Sequence, residues 1–243
     1  MILIMNIALV FAGGIGLRMN TKSRPKQFLE LHGKPIIVYT LEIFQTHPDI
    51  DAIVVSCVEE WIPYMSDLKE KYHLDKIVNI VQGGTTGHVS IFNGLKEISS
   101  HYGSDSVVLI HDAVRPLIDH ELIDNNIRSV KLYGSAVTVA CATETAIVVN
   151  AKDSIEKVQD RAVSMIAKAP QSFYLKDILA AHEQALDDGL FSFIDSCSLM
   201  HHYGHELHIV HSSHLNIKIT NPVDFYLFRA IEDAKENCQI VNL

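Results

Sequence analysis

An unbroken apolar run, Ile4 to Phe11, passes directly into Ala12-Gly13-Gly14-Ile15-Gly16-Leu17-Arg18-Met19. A short apolar run closed by glycines fits a strand buried on both faces, as in a parallel sheet. Three glycines within four positions then let the backbone come close to a ligand and turn its N–H groups toward phosphate. A buried strand emptying into such a loop implies an α/β architecture that holds its ligand at the carboxyl edge of the sheet. Met1 to Ala12 is apolar enough to imitate a signal-peptide core, but it lacks a basic leading segment and reads as the first strand.

The rest of the chain repeats the rhythm. Ala52 to Cys57, Lys76 to Val81, Ser106 to Ile110 and Ser135 to Ala142 are candidate strands, with amphipathic stretches between them. A helix starting at Pro35 carries Ile37, Leu41 and Phe44 on one face. Two more carry Ile91, Leu95 and Ile98, and Ile123, Ile127 and Val130. Thr143 to Ala169 breaks the pattern with mixed polar and β-branched residues, either an arm that embraces a second subunit or a solvated long hairpin. The chain returns through helical segments and a strand near Leu207 to Val210. It ends in a helix announced by Asn221, Pro222 and Asp224, with Val223, Leu227 and Ile231 along one face. A single domain spanning residues 1–243, with 143–169 as an arm, is the expected organisation.

Composition narrows the function. At 48% hydrophobic the chain can build a sizeable interior. No apolar run approaches the roughly 18 residues that would span a bilayer, so a membrane role has no support. A net charge of −9 opposes binding to a nucleic-acid polymer, which needs many clustered cations; a small anionic substrate needs only a few in one cleft. Cys57, Cys141, Cys197 and Cys238 lie far apart with no CxxC spacing, which points to reduced thiols in cytoplasm and to neither a zinc site nor a disulfide framework. His202, His205, His208, His211 and His214 recur every third residue, a period that fits neither one helix face nor one strand face, and read as a solvated rim.

The glycine loop is not a Walker loop, because no Gly-Lys-Ser/Thr follows, and it departs from the GxGxxG dinucleotide spacing. Arg18, Arg24 and Lys26 place positive charge beside it, so a phosphate-binding role outweighs a simple tight turn. The run AGGIGLRMNTKSRPKQFLELHGKPII resembles the nucleotidylyltransferases that activate sugars and polyols, and its PKQF element is similar to the branch acting on ribitol phosphate or methylerythritol phosphate. The later elements of that branch follow in order: His111-Asp112-Ala113-Val114-Arg115-Pro116, Gln159-Asp160-Arg161, Pro170-Gln171-Ser172-Phe173 and Asn216-Ile217-Lys218-Ile219-Thr220.

The resemblance implies a Rossmann-like three-layer sandwich with a largely parallel, twisted sheet and a protruding β-arm, assembled as a homodimer. It implies transfer of CMP from CTP to a polyol phosphate with release of pyrophosphate, assisted by Mg²⁺. Ala12, Gly13, Gly14 and Gly16, with Arg18 and Lys26, would hold the triphosphate, and Lys218 would approach the same phosphorus. Gly84 and Ser90 would read cytosine. Asp112 would bind polyol hydroxyls or lie near the metal, unless it only caps a turn; Arg115 has substrate and structural readings of equal weight. Thr145 and Arg161 match arm residues that hold the polyol phosphate across the dimer interface, against the alternative of an exposed arm salt bridge. Asp195 matches an aspartate near the substrate pocket, though an Asp before Ser196 equally caps a helix.

Two positions depart from the relatives: Gly87, where they commonly carry Arg, and Ala169, where many carry Thr. The AGG loop, HDAVRP, Glu60-Trp61-Ile62 and PQSF favour ribitol 5-phosphate as acceptor over methylerythritol 4-phosphate. A hexose-1-phosphate nucleotidylyltransferase would share the GGxGxR loop without HDAVRP and NIKIT. A catalytically silent nucleotide-binding homologue is opposed by the retention of Arg18, Lys26, Asp112 and Lys218.

Overall fold

The computed structural model describes residues 4–13 and 24–236. Gly14, Gly16 and Arg18 lie outside the described residues, as does Cys238.

The alternation of strand and helix produces a seven-stranded sheet. In chain order its strands are β1 (Asn6–Ala12), β4 (Ala52–Cys57), β5 (Ile77–Gln82), β6 (Val107–Asp112), β7 (Ser135–Cys141), β10 (Met165–Tyr174) and β11 (Ile209–His211). Two short strands, β2 (Glu30–Leu31) and β3 (Lys34–Pro35), pair beside it, and β8 (Ile147–Val149) pairs with β9 (Ile155–Val158) in a separate hairpin. Across the sheet the order is β11, β7, β10, β6, β1, β4, β5. All neighbours are parallel except β10, which runs antiparallel to both β6 and β7.

Strand periodicity divides the core into two layers. Ala8, Val10, Ile53, Val55, Val107 and Leu109 face one side, against α1 (Ile36–Thr46), α2 (Ile62–Lys71) and α4 (His120–Tyr133). Ile7, Leu9, Val54, Val108 and Ile110 face the other, against α3 (Gly87–His101), α5 (Leu175–Asp187) and α6 (Ser196–His202). The apolar triplets expected on α1, α3 and α4 are all buried. Pro35 is the residue before α1 rather than its first helical position.

Three expectations change. β10 was not anticipated, because Pro170 interrupts it and Gln171 and Ser172 break its apolar alternation; its register against β7 shifts between Ala167 and Gln171. The chain consequently rejoins the sheet at Met165, so the boundary drawn at Ala169 falls inside a core strand. The last helix, α7 (Pro222–Glu236), starts where expected, with Asn221 Oδ1 accepting from the Asp224 N–H at 3.1 Å and Asp224 Oδ2 accepting from the Asn221 N–H at 2.9 Å. Its buried stripe, however, is Phe228 and Ile231, packed on Leu31, Ile36, Val114 and Ile219, whereas Val223 and Leu227 are exposed. A ring at Phe228 fills that cleft better than the aliphatic side chains one and five positions earlier.

The excursion after β7 is a hairpin standing off the core. Its apolar residues Ile147, Val149, Ile155 and Val158 are exposed. Of the five spaced histidines, His202 ends α6, His205 and His208 lie in the connection to β11, His211 ends β11 and His214 lies in the turn after it. Among the described residues no helix is long and apolar enough to cross a membrane.

Candidate active site

The order of strands reverses at β1: the chain moves from β1 to β4 and β5 on one side, then returns to place β6 on the other. Crevices form at the carboxyl ends of strands at such switch points. There β1 ends at Ala12, β6 ends at Asp112, and the loop from Gly83 to Thr86 leads into α3.

The glycines in this crevice are required by close approach. A Cβ on Gly13 would stand 2.3 Å from Ser90 Oγ, and one on Gly84 would stand 2.2 Å from Val89 Cγ1. Ser90 Oγ accepts from the Gly84 N–H at 3.0 Å and donates to the Thr86 carbonyl at 2.8 Å, so one buried hydroxyl fastens the loop after β5 against the strand-end glycine. Thr86 caps α3 by accepting from the Val89 N–H, which leaves a helix N-terminus beside the cradle, a favourable place for an anion. Gly87 is different: a Cβ there would meet only Phe11, at 3.8 Å, so its bareness opens space rather than relieving a clash.

Lys26 opens a short 3-10 helix, Lys26–Phe28, that Gln27 ties to β1: its buried amide donates to the Ala12 carbonyl at 2.6 Å. Phe28 stacks on Trp61 with ring centroids 4.8 Å apart. Gln27 was not singled out from sequence; its place inside PKQF was the available signal.

The second half of the crevice gathers charge around Asp112. Its Oδ2 accepts from Arg115 Nε at 2.8 Å and its Oδ1 from Lys218 Nζ at 2.6 Å. Burial pushes the carboxyl pKa up, but Lys218 and Arg115 overcome that by charge and hydrogen bonding and hold it at about 2. The HDAVRP and NIKIT elements, about a hundred residues apart, are thus one ionic cluster. Arg115 also donates to the Asn216 carbonyl at 3.1 Å. His111, fully buried behind the cluster, bonds the Arg115 carbonyl through Nε2 at 3.1 Å, and burial lowers its pKa to about 4.

A cavity of about 280 Å³ opens beside this cluster, lined by Asp112, Arg115, Lys168, Gln171, Asp195 and Lys218 on its polar side. Its apolar wall includes Phe11, Ile91, Ile110 and Phe193, with Ala169 and the imidazoles of His88 and His182. Those two rings lie with centroids 4.3 Å apart, tilted by 31°; burial, with His88 adding to it, lowers the His182 pKa to about 3. Neither histidine carried a signal in the sequence, since the pair forms only when α5 packs on α3.

Asp195 does both things the sequence allowed. It caps α6 through a reciprocal box with Ser198, and its Oδ2 accepts from the Gln171 amide at 3.0 Å at the cavity wall. Among the described residues lining the cavity, Thr145 and Arg161 do not appear: both are exposed on the excursion, and Arg161 donates to the Thr143 carbonyl at 3.4 Å. Each Asp112 oxygen already receives a cationic donor, and among the described residues no group of three or more His, Cys, Asp and Glu could hold a metal, so a divalent ion beside Asp112 would depend on the substrate's phosphates for most of its ligands.

This geometry sets a strand end and loop crowded at Gly13 and Gly84 on one side of the crevice and, on the other, a cavity whose described lining holds more cations than carboxylates. Comparison with known proteins agrees with it. A ribitol-5-phosphate cytidylyltransferase of Vibrio parahaemolyticus is 52% identical over 236 residues, 97% of this chain and 99% of the relative. A 2-C-methyl-D-erythritol 4-phosphate cytidylyltransferase of Clostridium novyi is 37% identical over 235 residues, 96% of this chain and 99% of the relative. Among solved structures, the 4-diphosphocytidyl-2C-methyl-D-erythritol synthase of Anaerococcus prevotii superposes with a TM-score of 0.82 at 26% identity, covering 95% of this chain and 99% of that one. With the model of that family matching residues 6–233, the chain belongs to the family described as IspD: 2-C-methyl-D-erythritol 4-phosphate cytidylyltransferase.

Proposed function

We propose that the chain transfers the cytidylyl group of CTP to D-ribitol 5-phosphate, forming CDP-ribitol and pyrophosphate. The Asp112–Arg115–Lys218 cluster, set against the glycine cradle at the switch point, carries this reading. The choice of acceptor follows the relatives: 52% identity to an enzyme named for ribitol 5-phosphate against 37% to one named for methylerythritol phosphate. Methylerythritol 4-phosphate is the second reading, favoured by the family description and by the solved neighbour.

In this account a phosphate oxygen of the acceptor attacks the α-phosphorus of CTP in line, the bond to the bridging oxygen breaks, and pyrophosphate leaves. No covalent enzyme intermediate is needed, so catalysis is positioning and charge stabilisation. The resemblance to the family assigns the triphosphate to Gly13, Gly14 and Gly16. Arg18 and Lys26 offset the charge that grows at the α-phosphorus and the leaving group. Lys218, steered by Asp112, meets the same phosphorus from the acceptor side, while Gly84 and Ser90 shape the cytosine end. A bound Mg²⁺ would offset charge on the triphosphate and the departing pyrophosphate, with Asp112 the candidate carboxylate of this chain beside it.

The exposed apolar hairpin supports assembly as a homodimer in which the arm of one protomer brings Thr145 and Arg161 to its partner's acceptor. The free thiols of Cys57, Cys141 and Cys197 support a cytoplasmic setting.

Pyrophosphate release from CTP, measured with ribitol 5-phosphate, methylerythritol 4-phosphate and a hexose 1-phosphate in separate reactions, tests the proposal. Release dependent on ribitol 5-phosphate is expected. Silence with every acceptor would remove the enzymatic reading, and dependence on the sugar 1-phosphate would move the protein to another branch.

A further inference from the structure

Lys168 sits on β10 at the cavity wall, beside Arg115 and across from Lys218. Its ammonium donates to two backbone carbonyls, Asn216 at 2.9 Å and His214 at 3.3 Å. Arg115 and Lys218 share the carboxylate of Asp112, but among the described residues no carboxylate lies within ion-pair distance of Lys168. Its charge therefore stands in a half-buried wall, compensated only by carbonyl dipoles.

Holding the Asn216–Lys218 segment in place does not account for this arrangement. That segment is already tied by Arg115 to the Asn216 carbonyl, by the Asn216 amide to the Ala169 carbonyl at 2.7 Å, and by the Ile219 N–H to the Val114 carbonyl at 2.9 Å. A fourth tie made with a charged group costs desolvation that a neutral donor would avoid. Burial and the nearby Arg115 guanidinium both push the Lys168 pKa down, a penalty that an incoming anion would relieve. Among the described residues around the cavity three cations, Arg115, Lys168 and Lys218, face two carboxylates, Asp112 and Asp195, and both carboxylates are already engaged.

We propose that Lys168 is a binding residue for the acceptor: its ammonium, held by the Asn216 and His214 carbonyls, forms with Arg115 and Lys218 the subsite that grips the acceptor's phosphate. Resting on the cytidylyl transfer proposed above, this gives the reaction's nucleophile its own cation, separate from those on the triphosphate. Loss of the charge therefore weakens acceptor binding and spares CTP.

The test compares wild type with Lys168→Met, which keeps the length of the side chain and removes the charge, and with Lys168→Arg, which restores a cation. Initial rates are measured against each substrate, and inorganic phosphate is titrated calorimetrically into the substrate-free protein. Lys168→Met is expected to raise the acceptor KM about tenfold to a hundredfold, the loss of one charge-assisted bond. The CTP KM stays within about twofold of wild type, Lys168→Arg recovers most of the acceptor affinity, and phosphate binds Lys168→Met more weakly. An unchanged acceptor KM, or a fall in kcat with both KM values rising together as a displaced Lys218 would cause, overturns the assignment. Should wild type use no polyol phosphate at all, the transfer reading fails by itself, and the phosphate titration still decides for Lys168: weaker binding to Lys168→Met upholds the subsite, and equal binding overturns it.

Discussion

Replacing Asp112 by Asn isolates what the ionic cluster does. The wild-type carboxyl is held at about 2, against an ordinary value of 3.8, so the folded state favours the charged form. For a carboxylate with a depressed pKa the stabilisation is complete above the unfolded value and is lost as pH falls through the folded one. Asn is nearly isosteric with the neutral carboxyl, so at pH 7 the substitution removes about 2 kcal/mol. In a chain of this size that corresponds to a melting temperature lower by about 4–8 °C. Urea denaturation at pH 7, 5 and 3.5 follows the gap directly: it holds between pH 7 and 5 and begins to narrow below about pH 4, where the unfolded chain's carboxyl takes up a proton that the folded one, held at about 2, still refuses. Turnover falls as well, because Arg115 and Lys218 lose the group that aims them. Equal midpoints at pH 7, or a gap of constant size down to pH 3.5, would refute the account of Asp112 as a charged hub.

Three further outcomes follow from other parts of the molecule. Gly13→Ala places a methyl 2.3 Å from Ser90 Oγ, and the overpacking costs about 1–3 kcal/mol; in a denaturant double-mutant cycle, adding Ser90→Ala recovers part of the loss, whereas strict additivity would deny the contact. His182 is buried and neutral with its pKa lowered to about 3, so the unfolded chain binds a proton that the folded one refuses between about pH 6.5 and 3, and stability drops by about 2 kcal/mol by pH 5. Neither of its ring nitrogens has a partner among the described residues, so His182→Phe should unfold at lower pH than wild type in an acid titration, and an unchanged midpoint would count against the buried imidazole. If the arm completes the partner's site, mixing Arg161→Ala with Lys218→Met protomers restores roughly a quarter of wild-type activity, since half the dimers carry one intact site of two; no recovery on mixing contradicts that arrangement.

Much of the scaffold was legible in the sequence because its signals are local. Val54 and Val55 in β4 read as a strand whatever lies beside them, and Leu95 follows Ile91 by one helical turn. The misreadings arose where the outcome depends on a distant partner. On α7 two apolar stripes compete, and only the cleft between Leu31 and Ile219 selects Phe228 over Leu227. In β10, Pro170 and the polar pair after it conceal a central strand that becomes visible only between β6 and β7. The site divides in the same way. Gly13, Gly84, Ser90, Asp112, Arg115 and Lys218 stand out through their motifs, and the fold brings the glycines and the ionic cluster to one crevice. Gln27, Lys168 and the His88–His182 pair were missed, because each acquires its meaning from a residue far along the chain: Ala12, Asn216 and each other.

The central claim, cytidylyl transfer to ribitol 5-phosphate, is tested most directly by competition in one vessel. CTP is supplied with equal amounts of ribitol 5-phosphate and methylerythritol 4-phosphate, and the nucleotide products are resolved by mass. CDP-ribitol as the dominant product, formed with matching pyrophosphate, is the predicted result. Predominance of the methylerythritol product, or no CDP-polyol at all, would contradict it.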